Sequence, residues 1–174
     1  MSLVGFRAKN HPQQVAKRGA VDRDNLGTDP ALFATLDERF GFTLDVAASA
    51  ANAKCPHWYD RDANGLERSW GGGRVWCNPP YSEIRAWVEK AWREWMAWPA
   101  FEAPKLIVML LPANRTEQAW WQDLVEPYRQ EPGFSVEFLR GRQRFVMPGA
   151  EHIGPNERPP FGCCLLIWNT EAVA

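Results

Sequence analysis

The chain has 174 residues, 45% hydrophobic and 24% charged, with a formal net charge of −1. That length holds one domain with a real core, and the composition is that of an ordinary soluble protein, not a disordered, fibrous or disulfide-stapled one. No apolar run approaches a membrane span, and the opening Met1-Ser2-Leu3-Val4-Gly5-Phe6-Arg7 lacks a signal peptide's apolar core, so a cytoplasmic site of action is expected.

In chain order, residues 1–21 contain no acid but carry Arg7, Lys9, Lys17 and Arg18. Residues 1–26 are polar and unpatterned and read as a mobile basic arm, one that contacts nucleic acid or is simply disordered. The domain proper is expected over 27–174. Asp29 (or Thr28) as N-cap and Pro30 at the first helical position open a helix with Leu32, Phe33, Leu36 and Phe40 on one face, and Gly41 stops it. Residues 42–46 read as a strand. Ala47, Ala48 and Ser49 after it are small enough to let something approach the backbone. Residues 54–73 are irregular, and Gly71-Gly72-Gly73 marks a flexible turn.

Arg74-Val75-Trp76-Cys77 reads as a second strand. A helix capped by Ser82 follows, with Ile84, Trp87, Val88, Ala91 and Trp95 on its buried face and Pro99 at its end. Tryptophans at that spacing read as core. Leu106-Ile107-Val108-Met109-Leu110-Leu111 is a continuous apolar run, the pattern of a strand covered on both faces. Asn114 and Glu117 form a plausible capping box for a helix with Trp120, Trp121, Leu124, Val125 and Tyr128. Residues 134–139 read as a strand with which 144–147 pairs back, and 163–168 as the last strand. Strands alternating with helices imply an α/β domain with a mainly parallel sheet, helices on both faces and ligands at the carboxyl ends of its strands.

Cys55, Cys77, Cys163 and Cys164 show no CxxC spacing and read as buried free thiols in a reducing compartment. His11, His57 and His152 share no ligand spacing, so no metal is expected. Arg140, Arg142 and Arg144 recur at a period of two with no acid nearby. On an extended strand that spacing puts three guanidiniums on one face, which suits a phosphate track as well as it suits a solvated edge.

The stretch that carries chemistry is Asn78-Pro79-Pro80-Tyr81, between a strand and a helix. Two prolines fix two φ angles and present bare carbonyls, Asn78 adds an acceptor, and Tyr81 offers an aromatic face. A proline-stiffened turn would look the same. As a binding edge, however, it suits a planar amine: acceptors take its two N–H groups, and the ring stacks on an extruded base.

Thr28-Asp29-Pro30, Leu44-Asp45-Val46-Ala47-Ala48-Ser49, Asn52-Ala53-Lys54-Cys55, Gly65-Leu66, Trp70, Trp76-Cys77-Asn78-Pro79-Pro80-Tyr81-Ser82, Leu111-Pro112-Ala113 and Gly141-Arg142-Gln143-Arg144-Phe145 together resemble the phage-type DNA N6-adenine methyltransferase family (Dam-like). The similarity runs from about Thr28 to Trp168. It implies a Rossmann-like methyltransferase fold, S-adenosyl-L-methionine as methyl donor and adenine in DNA as acceptor, in the cytoplasm of a bacterial host with a phage or prophage gene. By match of motif, Asn78, Pro79, Pro80 and Tyr81 are the catalytic residues. Thr28, Pro30, Asp45, Ala47, Ala48, Ser49 and Asn78 line the cofactor pocket; Arg115 and the row Arg140, Arg142 and Arg144 are the residues expected to contact DNA. The chain departs from methyltransferases at large in having no Phe-x-Gly-x-Gly after its first strand. Asp60 and Asp62 are candidates for the ribose carboxylate. Cytosine N4, or a glutamine side-chain amide, is the competing acceptor, and a non-catalytic DNA-binding remnant the competing class.

Overall fold

A computed structural model describes Asp24 and residues 27–97, 103–146 and 161–172. The rest of the expected arm, Pro99, Met147 and the loop 148–160 lie outside the described residues.

The central sheet has six strands: β2 (Leu44–Asp45), β3 (His57–Trp58), β4 (Arg74–Cys77), β5 (Leu106–Pro112), β6 (Phe134–Phe138) and β8 (Cys163–Asn169), in the order β3-β2-β4-β5-β8-β6. Neighbours β3, β2, β4 and β5 pair in parallel, while β8 is antiparallel to both β5 and β6. Every strand but β8 therefore runs the same way, and their carboxyl ends share one edge. A two-stranded ribbon joins β1 (Gly27–Thr28) to β7 (Phe145–Val146).

All seven residues of β5 are buried, as its unbroken apolar run requires of a strand covered on both faces. Alternation along the strands divides the core. Val75, Cys77, Ile107, Met109, Leu111, Cys164, Leu166 and Trp168 face α2 (Ile84–Met96) and α3 (Ala119–Leu124). Trp76, Leu106, Val108, Leu110, Leu165 and Ile167 face α1 (Pro30–Phe40). Helices thus cover both faces of the sheet. The α1 caps follow from sequence: the Asp29 carboxylate accepts the Ala31 N–H at 2.9 Å, Pro30 takes the first position, and Gly41 ends the helix at φ 63°.

Several expectations are corrected. The helix after the proline loop starts at Ile84 with Glu83, not Ser82, before it. Its buried face holds Trp92, while Trp95 packs only partly buried against the core, because Trp92 meets Trp168, Phe134 and Tyr128 and donates to the Leu124 carbonyl at 2.8 Å. No capping box forms at Asn114: α3 begins at Ala119, after a turn in which the Gln118 N–H donates to the Arg115 carbonyl. The strand expected over 42–46 is reduced to Leu44–Asp45. Finally, Phe145–Val146 pairs with Gly27–Thr28 and not with the strand before it.

Candidate active site

The chain passes from β2 out to β3 and then back across to β4 on the other side of β2. Loops leaving neighbouring strands in opposite directions open a crevice at their carboxyl ends. A cleft of about 410 Å³ lies there. Of the expected cofactor residues, Thr28, Asp45, Ala47, Ala48, Ser49 and Asn78 line it.

One wall grows from β2. Asp45 is 3% exposed and its carboxylate accepts the Ala47 N–H at 3.3 Å and the Lys54 N–H at 3.1 Å. Burial pushes its pKa up to about 6; these two bonds and the nearby Lys54 charge oppose the shift without cancelling it. Burial likewise lowers the Lys54 ammonium, against the pull of Asp45 and Asp29. The turn beyond is fixed by backbone bonds from Val46 N–H to the Trp76 carbonyl and from Ala48 N–H to the Tyr59 carbonyl, while the Asn52 side chain accepts from Ser49. Gly65 closes the wall from behind: a Cβ there would stand 2.1 Å from the Val46 carbonyl oxygen. Trp70, fully buried and stacked on Trp87, donates to the Gly65 carbonyl at 2.7 Å and holds that approach. Asp60 and Asp62 line the cleft just past β3, and the Asp60 carboxylate also accepts the Ala63 N–H at 2.8 Å.

The other wall grows from β4. Asn78 and Pro80 line the cleft, whereas Pro79 is buried. The Pro80 carbonyl accepts the Glu83 N–H at 3.1 Å, turning the loop into α2, and the Ser82 N–H donates to Asp24 at 3.1 Å. Asp24 belongs to the stretch expected as an arm, yet it docks on this loop and lines the cleft. Tyr81 is half-buried with its hydroxyl turned inward, so its exposed surface is ring and backbone. Burial raises its pKa well above the usual phenol value, and the charge of Arg115 opposes that rise.

Two groupings expected from sequence do not form. Pro30 is exposed at the start of α1 and, like Pro79 and Tyr81, is not part of the cleft lining. Arg140, Arg142 and Arg144 lie in the loop between β6 and β7, not on a strand: Gly141 adopts φ 75°, the Gln143 side chain donates to the Arg140 carbonyl, and the period-two row is broken. Arg140 and Arg142 are exposed and Arg144 is half-buried. That loop and Arg115 nevertheless follow the carboxyl ends of β6 and β5, at the same edge of the sheet as the cleft. Sequence reasoning did not find Gly65, Asn52 or Asp24 as wall-building residues. Asn52 and Gly65 fall in motifs that carry the family resemblance, but neither motif names the contact that builds the wall, and Asp24 carries no signal.

All four cysteines are buried and free, and burial pushes the thiols of Cys55, Cys163 and Cys164 up to about 12, so they stay protonated. Among the described residues no helix is long and apolar enough to cross a membrane.

A family model described as DNA N-6-adenine-methyltransferase (Dam) matches residues 16–172. The chain belongs to this family. A DNA N-6-adenine-methyltransferase of Escherichia phage T1 is 38% identical over 120 residues, 68% of this chain and 44% of the phage protein. The chain thus spans less than half the length of the curated family member it matches. A solved structure of a proposed RNA methyltransferase from Pyrococcus horikoshii superposes with a TM-score of 0.49 at 14% identity, covering 88% of this chain and 90% of that chain, a likeness too loose to bear on substrate.

Proposed function

We propose that this chain transfers a methyl group from S-adenosylmethionine to the N6 amine of adenine in DNA. The observation that carries the proposal is the meeting, across one cleft, of a buried carboxylate with small residues beside it (Asp45, Ala47, Ala48, Ser49) and the carboxamide of the proline-stiffened loop (Asn78). The lining residues fit the donor. The Asp45 carboxylate suits its cationic methionine end, the alanines admit it to the backbone, and Asp60 or Asp62, past the second strand of the sheet edge, suits ribose hydroxyls. Bound there, S-adenosylmethionine supplies an electrophilic methyl on a sulfonium leaving group.

The remaining work belongs to the chain. An exocyclic amine is a poor nucleophile because its lone pair is delocalised into the ring. The Asn78 side-chain oxygen and the Pro79 carbonyl accept its two N–H groups, which favours a pyramidal nitrogen with its lone pair aimed across the cleft. The Pro80 carbonyl takes the Glu83 N–H and turns the loop into α2. Asn78 is neutral and no base, so the proton leaves to water after transfer. The Tyr81 ring stacks on the extruded base, a contact of about 1–3 kcal/mol. Arg115 and the loop of Arg140, Arg142 and Arg144 take phosphates on the same edge of the sheet.

The test is transfer of labelled methyl from S-adenosylmethionine to DNA grown without adenine methylation, followed by nucleoside analysis. N6-methyladenine is the expected product. N4-methylcytosine would replace the acceptor, and no transferred label would leave a DNA-binding remnant.

A further inference from the structure

Tyr81 has an unusual anchorage. Its backbone is stiffened by Pro79 and Pro80 before it, but those prolines leave its own side-chain torsions free. A half-buried tyrosine is ordinarily oriented through its hydroxyl; here the hydroxyl is buried and has no hydrogen-bond partner among the described residues. The ring packs against both core clusters, and the aromatic contacts among these are two phenylalanines, both edge-on. Phe145 lies at 6.3 Å and 85°, and Phe161 at 6.2 Å and 61°. Neither lines the cleft. Phe145 is in β7 and Phe161 sits just before β8, so two elements far apart in sequence meet at the same tyrosine. Phe145 also stands opposite Thr28 in the ribbon, and Thr28 lines the cleft.

We propose that Phe161 and Phe145 are positioning residues for the methyl-transfer loop: they set the plane of the Tyr81 ring, so that an extruded base meets a preset face beside Asn78. This rests on the functional reading above. The two rings carry no polar atom, and Phe161 acts on the reaction only through Tyr81. A stacking face must be held within about 10–20° to be productive. With the hydroxyl unbonded, apolar packing supplies that restraint, and the two edge contacts are its aromatic part.

Phe161 is half-buried and Phe145 is 3% exposed, so Phe161 is the safer site to change. The chain has three tyrosines, Tyr59, Tyr81 and Tyr128, and ring-labelled tyrosine gives a resolvable NMR spectrum whose Tyr81 signal is assigned by its loss in Tyr81→Phe. In Phe161→Leu the Tyr81 signal is expected to shift and broaden while those of Tyr59 and Tyr128 stay put. On DNA grown without adenine methylation, kcat/KM should fall about three- to tenfold, the value of an aromatic pair, with the loss in kcat and with S-adenosylmethionine affinity within about twofold. Phe161→Tyr, which keeps the ring and adds a fourth signal, should restore both. Phe145→Leu should act in the same direction if it folds; if it does not, the Phe161 pair of variants decides. A folded Phe161→Leu protein with an unmoved Tyr81 signal and wild-type kcat overturns the proposal. A wild-type chain that transfers nothing to DNA instead sinks the functional reading, and the NMR signal still decides whether Phe161 holds the ring.

Discussion

The two walls of the cleft are built from different physics. The wall after β2 is polar: a buried carboxylate, backbone hydrogen bonds to Trp76 and Tyr59, and a glycine pressed against a carbonyl. The wall after β4 is stiffened by two prolines and packed with aromatic rings. The first is tuned by charge and has no spare volume; the second responds to ring packing and not to pH. The difference matches the two partners of the proposed reaction, since a cationic flexible donor needs an ionised, close-fitting backbone and a flat neutral base needs a rigid face.

The largest effect on the first wall is expected from Gly65→Ala. Its Cβ would meet the Val46 carbonyl oxygen at 2.1 Å, and backbone cannot yield cheaply. An overpacking cost of about 3 kcal/mol translates into roughly a hundredfold loss of S-adenosylmethionine affinity by calorimetry, or into loss of the fold. An unchanged affinity would show that the wall is softer than it looks.

Next comes the pH dependence of Asp45. Its pKa is pushed from 3.8 to about 6 in the folded chain, so the proton stabilises the folded state. That stability is full below about pH 4 and is lost as pH rises through 6. Asp45→Asn, which carries no such charge, should therefore gain on the wild type across this window, by up to about 3 kcal/mol in urea unfolding. In the wild type, S-adenosylmethionine affinity should weaken as pH falls below 6, because the carboxylate proposed to face the donor's cation takes up a proton. A wild type and variant with parallel pH profiles would deny Asp45 its titration.

The smallest effect is expected on the second wall. Tyr81→Phe removes a buried hydroxyl with no partner among the described residues and should raise stability by about 1 kcal/mol, read by thermal unfolding, with methyl transfer within about twofold of wild type. A tenfold loss of transfer would mean that the hydroxyl finds a partner on the substrate.

What was legible in the sequence is what local physics dictates. The apolar run of β5, the Asp29-Pro30 start and Gly41 stop of α1, and the strand–loop–helix around Asn78 need no distant partner to be recognised. Most of the errors involve one, and the arginine row is a local exception. The arginine row presumed extended chain, and Gly141 in the left-handed region turns it aside. Trp92 and Trp95 both lie at helical spacing, and the choice between them is made by Trp168 and Phe134 on strands far along the chain. The partner of Phe145–Val146 is the two-residue strand Gly27–Thr28, too short to announce itself by periodicity. Asp24 gives no local sign that its carboxylate will accept from Ser82.

The claim that the two walls hold separate jobs is tested most directly by Asn78→Ala, measured for both at once. Calorimetric affinity for S-adenosylmethionine should stay within about threefold of wild type, because the polar wall is intact. N6-methyladenine formed in unmethylated DNA should fall by at least about a hundredfold, the scale of losing a group that aligns the reacting atoms. Wild-type methylation by Asn78→Ala, or loss of cofactor binding along with activity, would contradict the account.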